Sequence, residues 1–161
     1  MGTPLPVNLV IPGRERRRRL AVLFLLYLGA LALIVFWPSP VDAGSAGTLQ
    51  ALLDALHKRG VPGWVNYTLV ESTANVLLFI PFGILAAAYL TERFAWLAAV
   101  VGMGASCVIE AGQHLFLPAR YATVHDVIAN SLGAVLGTLA VYVVRSWKHT
   151  GPVPGGHRRD A

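Results

Sequence analysis

The sequence predicts an all-α, polytopic membrane protein in which about four transmembrane helices form a compact bundle. Hydrophobic residues make up 55% of the 161 residues and charged residues only 13%, whereas roughly a quarter of the residues in an average soluble domain are charged. Charged residues are scarce in four long apolar blocks, and about 20 apolar residues suffice for a helix to cross a bilayer. At this length the chain is expected to form one domain.

The first apolar block covers residues 20–37 and follows a basic N-terminal segment, residues 1–19, that contains five arginines close together. A block of this length can cross a bilayer with little tilt. A signal peptide is the alternative, because Val41-Asp42-Ala43 offers a small-residue cleavage pattern. The apolar run is longer than the usual signal-peptide core of about 7–15 residues. We therefore predict a retained anchor, with cleavage near residue 43 as the open alternative.

The other three blocks cover residues 69–90, 94–116 and 127–144. A tight polar turn, residues 91–93, separates the second block from the third, so these two spans are predicted to be antiparallel neighbours. The predicted transmembrane domain is residues 20–148. The tail, residues 149–161, is rich in Gly, Pro and Arg and is predicted to be a disordered cytoplasmic segment.

The distribution of basic residues predicts the orientation of the bundle. With four spans, both termini and the 91–93 turn lie on one side of the membrane, and that side carries ten of the 13 Lys and Arg residues, leaving Lys58, Arg59 and Arg120 on the other. The positive-inside rule then places both termini in the cytoplasm. The net charge of +5 is accounted for by this flanking pattern, and no nucleic-acid-binding signature accompanies it.

The longest predicted connection, between the first two spans, contains leucines at helical spacing. Leu49, Leu52, Leu53 and Leu56 recur at intervals of three or four residues. This pattern predicts a short amphipathic helix that lies on the outer membrane surface. The alternative is a lid that covers a site below it.

Polar residues of three spans are predicted to meet at the outer end of the bundle. The second span descends from outside, the third climbs outward and the fourth begins outside, so each brings its polar residues to the same layer. The predicted ligand-binding set is Glu71, Asn75, Glu110, Gln113, Arg120, Asp126 and Asn130. Ionisable groups are costly inside a membrane and should face the bundle interior in pairs. Glu110 is the deepest of the charged residues, and we predict Arg120 as its counter-ion.

Three alternatives compete with a ligand site at this end. Polar side chains often join helices in membranes without any further role. A metal site could draw oxygen and nitrogen ligands from Glu110, His114, His125 and Asp126, but the spacing is not that of a known metal motif, so no metal and no cofactor are predicted. A nucleophilic Ser106 lacks a His–acid pair at helical spacing. The single cysteine, Cys107, excludes an internal disulfide.

Two further features are predicted to shape the bundle. Pro81 lies in the middle of the second span and should kink it, because proline removes one backbone hydrogen bond. Small residues recur at every fourth position of the fourth span, at Ala129, Gly133 and Gly137. Such a stripe lets a neighbouring helix approach closely, and Gly102 and Gly104 of the third span are the expected counterpart.

The polar and glycine positions together resemble the VanZ-like family. The likeness rests on Asn75-Val-Leu-Leu-Phe79-Ile-Pro81-Phe-Gly83, on Glu110-Ala-Gly-Gln113, on Arg120, and on Asp126-Val-Ile-Ala-Asn130-Ser-Leu-Gly133-Ala-Val-Leu-Gly137. The resemblance covers residues 71–144 and implies a bacterial integral membrane protein. The family is named for a member linked to low-level resistance to the glycopeptide teicoplanin, and the resemblance supplies no reaction.

From these observations we expect a membrane protein whose outward-facing polar pocket binds a cell-envelope ligand. That ligand would be a lipid headgroup, a glycan precursor or a glycopeptide, with Arg120 facing a phosphate or carboxylate. One alternative is an enzyme acting on a lipid-linked substrate, with Glu110 or Asp126 as general base. Another is a structural partner of envelope machinery. The expected partners are the lipid bilayer and the envelope ligand, with no nucleic acid, and a homo-oligomer stays open.

Overall fold

The structure is a computed structural model that describes residues 13–36, 46–117 and 123–149. These ranges contain five α-helices, one turn of 3-10 helix at Glu92–Phe94, and no β-strand. The α-helices are α1 (Arg14–Val35), α2 (Ala46–Lys58), α3 (Tyr67–Tyr89), α4 (Leu97–Phe116) and α5 (Val124–His149). The prediction of an all-helical chain is therefore confirmed for the described residues. Residues 1–12 of the predicted N-terminal segment and residues 150–161 of the predicted tail lie outside them.

Four of these helices correspond to the predicted apolar blocks, with different ends. Helix α1 begins at Arg14 and so includes the arginines that were predicted to precede it, because arginine is a good helix former. Helix α5 likewise continues through the basic residues after Val144 to His149. The predicted turn at 91–93 is part of the 3-10 turn, and α4 begins only at Leu97.

Side-chain contacts define the relative direction of α1 and α3. The Phe24 and Phe82 rings meet edge to face with centroids 5.2 Å apart, and the Tyr27 hydroxyl donates a hydrogen bond to the carbonyl of Leu78. A residue later in α1 therefore contacts a residue earlier in α3. These two helices are antiparallel.

Helix α5 runs parallel to α3 and antiparallel to α4. Asn75 contacts Asp126 near the starts of α3 and α5, and Arg145 contacts Leu90 near their ends. Against α4, Asn130 of α5 contacts Ser106, and Ala134, later in α5, lies beside Gly102, earlier in α4. The chain thus alternates direction through α1, α3, α4 and α5. We call the end where α3 and α5 begin the polar end, and the opposite end, where α1 begins, the basic end.

Glycines bring the backbones of α3 and α5 into close contact. A Cβ atom on Gly133 would lie 2.2 Å from the carbonyl oxygen of Val76, and one on Gly137 would lie 2.2 Å from that of Ile80. Because both obstacles are backbone atoms, they could move only if the two helices moved apart. This is the close approach that the small-residue stripe predicted.

The main partner of the stripe is α3, whereas the sequence pointed to the third predicted span. On α3, a Cβ on Gly83 would lie 2.2 Å from the carbonyl oxygen of Ala134. On α4, Gly102 joins the packing, because its Cβ would lie 2.4 Å from the Cβ of Ala134, but Gly104 has nothing within 4 Å. The prediction for Gly104 was wrong. Gly104 lies two residues after Gly102, and two residues along a helix lead to a different face, which in α4 is exposed.

Aromatic and small side chains fill the core between these helices. Phe79 and Phe82 are buried, and their rings are stacked with centroids 5.7 Å apart. Alanines of α3, α4 and α5 pack around them, and Leu31 and Val35 of α1 complete the cluster. Pro81 lies between the two phenylalanines, and α3 continues past it to Tyr89. The kink at Pro81 stays a prediction.

Three helices in the described part of the chain are long and apolar enough to cross a membrane: Arg14–Val35, Tyr67–Tyr89 and Val124–Lys148. Large apolar side chains along all three are exposed, such as Leu25, Leu77 and Leu139. A surface of this kind is suited to lipid. The chain is therefore a multi-pass membrane protein. Helix α4 is not among the three, since it carries Glu110, Gln113 and His114 within its 20 residues.

Helix α2 forms where the leucine spacing predicted an amphipathic helix. It covers Ala46–Lys58, and Leu53 is buried while Leu52 is exposed. Helix α2 contacts α3, and His57 Nε2 lies 2.9 Å from the Val65 carbonyl oxygen just beyond the end of α2. The placement of α2 on the outer membrane surface stays a prediction.

Candidate functional site

The start of α5 is held by a side-chain cap that involves Thr123 and Asp126. The Thr123 hydroxyl accepts a hydrogen bond from the backbone N–H of Asp126 at 3.2 Å and donates one to Asp126 Oδ2 at 2.8 Å. The first backbone N–H groups of a helix have no partner within the helix, so a threonine before the first turn stabilises it. The carboxylate also lies where the helix dipole favours negative charge.

Asp126 also connects α5 to α3. The Asn75 amide donates a hydrogen bond to Asp126 Oδ1 at 2.6 Å. Both carboxylate oxygens of Asp126 therefore accept a hydrogen bond, one from Thr123 just before α5 and one from Asn75 of α3. Hydrogen bonds to a charged group are stronger than neutral ones, so Asp126 is well suited to set the relative position of the two helices.

Glu110 connects α4 to the same helix start. Its Oε2 accepts a hydrogen bond from the backbone N–H of Thr123 at 3.0 Å, and the Glu110 side chain is buried. In a capping box, an acid three residues into the helix accepts from this N–H group. Here the acid comes from another helix, because Asp126 is engaged with Asn75 and with the Thr123 hydroxyl.

Two amide side chains complete the links between helices at the polar end. The Gln113 amide donates to the carbonyl of Val35 at 2.7 Å, which ties the end of α1 to α4. The Asn130 amide donates to the Ser106 hydroxyl at 3.0 Å, which ties α5 to α4. Asn130 Oδ1 and the Ser131 hydroxyl are buried and have no hydrogen-bond partner in the described part of the chain. Buried oxygens without partners are uncommon in proteins.

Of the seven residues predicted for the ligand site, the structure places Asn75, Glu110 and Asp126 together at the start of α5. Gln113 and Asn130 lie on the same helices but contact Val35 and Ser106. Glu71 lies one helical turn before Asn75 on α3 and is exposed. Arg120 lies outside the described residues, and its pairing with Glu110 stays a prediction. Within residues 13–36, 46–117 and 123–149, no group of three or more His, Cys, Asp or Glu side chains is arranged to hold a metal ion.

Two residues with central roles were missed in the sequence. Thr123 was detectable, because Thr-x-x-Asp before an apolar run is a helix-start signal. Ser106 was considered only as a nucleophile, whereas the structure buries it fully and uses its hydroxyl as the acceptor for Asn130. That interaction joins two helices distant in sequence, so no local pattern indicates it.

Comparison with known families agrees with these positions. The family model described as VanZ/LLP1 matches residues 24–145, well over half of the chain. The chain belongs to the VanZ-like family. The family prediction made from the residues is thereby confirmed. No curated protein and no solved structure gives a significant match.

Among the described residues, the polar end of this VanZ-like protein carries several hydrogen-bond acceptors. The carboxylates of Glu110 and Asp126, the Asn130 carbonyl oxygen and the Ser131 hydroxyl can all accept hydrogen bonds. An anionic ligand group needs a cation here, and Arg120 is the residue predicted to supply it.

Replacing Asp126 by Ala should destabilise the VanZ-like bundle by about 2 kcal/mol. The change removes the acceptors of the Asn75 amide and the Thr123 hydroxyl, and hydrogen bonds to charged groups contribute about 1.5–3 kcal/mol. The unfolding midpoint of the purified protein in detergent measures the effect. Asp54→Ala, at an exposed position of α2, is the matched control and should change little. Equal stability of the two variants would contradict the role given to Asp126.

Proposed function

We propose that the polar end binds a polar cell-envelope ligand at the extracytoplasmic face of the membrane. The ligand class is a lipid headgroup, a glycan precursor or a glycopeptide. The observation that carries the proposal is the convergence of the Glu110 and Asp126 carboxylates, from two different helices, on the start of α5. Charged groups inside a membrane bundle are expensive and commonly mark a ligand or ion site.

A fourth membrane span is part of this proposal. Helix α4 lies beside α5 from the Gly102–Ala134 contact to the Glu110–Thr123 hydrogen bond. If α5 crosses the bilayer, α4 occupies the same depth. Its Ser106 and Glu110 face α5 and its Gln113 faces the end of α1. With four spans, the excess of basic residues at the basic end favours a cytoplasmic position for that end. The polar end then faces outward, next to the envelope.

The residues of the site would have different roles. Arg120 would form charge-assisted hydrogen bonds with a phosphate or carboxylate of the ligand, for which the planar guanidinium is well shaped. Glu110 and Asp126 would accept hydrogen bonds from ligand hydroxyl or amine groups, or orient Arg120. Helix α2, with Leu53 packed inward and connected to α3 by a short segment, would limit access from the outer side.

Direct binding tests the role of Arg120. The full chain in nanodiscs is titrated with fluorescently labelled teicoplanin, and Arg120→Ala should weaken binding roughly tenfold, the loss expected from one charge-assisted contact. Arg59→Ala is the matched control, because Arg59 is the exposed basic residue after α2 and is predicted to face the same side. Unchanged binding by a folded Arg120→Ala protein would exclude Arg120 as a ligand contact.

A structural role is the second candidate, and a specific observation favours it. Gln113 joins α4 to α1 and Asn75 joins α3 to α5, so these polar groups stabilise the bundle whether or not a ligand binds. The glycine stripe does not help to separate the two roles. The backbone of α3 already packs against Gly133 and Gly137, so a substitution at either glycine would destabilise the bundle itself.

A further inference from the structure

Two arginines from different helices meet the C-terminal end of α3 at the basic end. Arg145 of α5 donates hydrogen bonds from one guanidinium nitrogen, Nη2, to the carbonyls of Ala87 at 2.9 Å and Leu90 at 3.0 Å. Arg17 of α1 lies over the ring of Tyr89, with its guanidinium carbon 5.6 Å from the ring centroid. Helices α1, α3 and α5 thus place two guanidinium groups around the last turn of α3.

Each of these guanidinium groups has a buried nitrogen that is not engaged. Arg17 Nε and Arg145 Nη1 are buried and have no hydrogen-bond partner within the described ranges. A buried donor without a partner costs free energy, more so when it belongs to a charged group. A phosphate oxygen is the partner that suits them best, because arginine forms short charge-assisted hydrogen bonds with phosphate.

The charge at this end favours an anionic partner. In the described part of the chain, eight basic residues lie here against two acidic residues, Glu15 and Glu92. The basic residues are Arg14, Arg16, Arg17, Arg18, Arg19, Arg93, Arg145 and Lys148. Glu15 Oε2 lies 3.7 Å from Arg19 Nη2 on the same helix. The carboxylate of Glu15 is therefore paired with Arg19, an arginine other than Arg17. Clusters of basic residues beside membrane spans attract anionic lipids.

Exposed aromatic rings indicate that these arginines lie at the level of the lipid headgroups. Tyr89 ends α3, Trp96 immediately precedes α4, and Trp147 lies in the last turn of α5, and all three are exposed. Trp and Tyr are enriched at the membrane interface, where an apolar ring can also reach water and headgroups. Arg17 contacts one of these rings directly.

We propose that the basic end binds the phosphodiester headgroup of an anionic phospholipid, with Arg17 Nε and Arg145 Nη1 as hydrogen-bond donors. The phosphate lies against the two guanidinium groups, which separate it from the carbonyl oxygens at the end of α3, and the acyl chains follow the apolar surface of the bundle. This site is at the opposite end of the bundle from the proposed envelope-ligand site. Its function is to fix α1 and α5 on α3 in membranes that contain anionic lipid.

Thermal unfolding of the full chain in dodecyl maltoside micelles tests the proposal. Added dioleoyl-phosphatidylglycerol should raise the unfolding midpoint in a saturable way, whereas dioleoyl-phosphatidylcholine should not. Arg17→Gln should increase the phosphatidylglycerol concentration for half-maximal stabilisation roughly tenfold, as expected for loss of one charge-assisted contact. Arg16→Gln is the matched control, because it removes the same charge at an exposed neighbouring position and should raise the half-maximal phosphatidylglycerol concentration far less than Arg17→Gln.

Arg17→Lys separates donor geometry from charge and serves if Arg17→Gln does not fold. It keeps the positive charge but lacks the planar donor group, so it should also weaken the response to phosphatidylglycerol. A wild-type response by Arg17→Lys would overturn the assignment of Arg17 Nε. If Arg16→Gln and Arg17→Gln weakened the response to phosphatidylglycerol equally, general surface charge would explain the response, and the specific site would be overturned. The same stabilisation by inorganic phosphate alone would overturn the assignment to a lipid.

Discussion

Gly133→Ala is expected to separate α3 from α5 and to destabilise the protein by about 2 kcal/mol. The new Cβ would lie 2.2 Å from the carbonyl oxygen of Val76 and 2.9 Å from the Cβ of Phe79. Overpacking of a well-packed contact costs about 1–3 kcal/mol or more. Alanine gains about 1 kcal/mol over glycine in helix propensity, but here the clash with backbone atoms outweighs that gain.

The matched control for Gly133→Ala is Gly104→Ala on α4. A Cβ on Gly104 meets nothing within 4 Å, so this change should be neutral or stabilising by up to about 1 kcal/mol. Unfolding by SDS titration in mixed micelles, followed by circular dichroism, measures both variants. If Gly133→Ala were as stable as Gly104→Ala, the close contact between α3 and α5 would be wrong.

Phe79→Ala should have the second large effect and destabilise the protein by about 3 kcal/mol. Phe79 is fully buried, stacks on Phe82 and lies beside Gly133. Removing a buried phenylalanine ring from a packed core costs about 3–5 kcal/mol because of the cavity that it leaves. We expect the lower value here, because moving a side chain from lipid into the bundle gains van der Waals packing but almost no hydrophobic free energy.

Leu77→Ala is the control for Phe79→Ala on the same helix. Leu77 is exposed on the lipid-facing side of α3, with 60% of its surface accessible, and lipid chains can fill the space of the lost side chain. The SDS unfolding midpoint should therefore change far less than for Phe79→Ala. Similar losses in the two variants would mean that Phe79 is not at the centre of the bundle.

The helices were predictable because their signals are local. Apolar blocks separated by short polar turns indicated α1, α3, α4 and α5, and the leucine spacing indicated α2. Their ends were less predictable, because the arginines at the start of α1 favour helix although they were read as a flanking segment. The polar layer followed from alternation of direction, which places Asn75, Glu110 and Asp126 at the same end.

Partners across helices were not predictable from spacing alone. The glycine stripe of α5 indicated close packing, but only the tertiary fold shows that α3 and Gly83 meet it. The hydrogen bond from the Thr123 N–H group to the Glu110 carboxylate was not expected either, and the pairing of Glu110 with Arg120 stays a prediction. Both facts depend on which helices are neighbours, and the pattern within one helix does not contain that information.

We propose that the polar end binds a ligand and is more than a set of contacts between helices. The most direct test compares Glu110→Gln and Arg120→Gln in bacteria that express the chain, with membrane abundance and teicoplanin susceptibility measured together. Glu110→Gln keeps an oxygen that can accept from the Thr123 N–H group, so the fold should be retained while the charge is lost. We predict that both variants insert and accumulate like the wild type but lose its effect on susceptibility. Normal abundance with a full effect on susceptibility, or degradation of both variants, would contradict the claim.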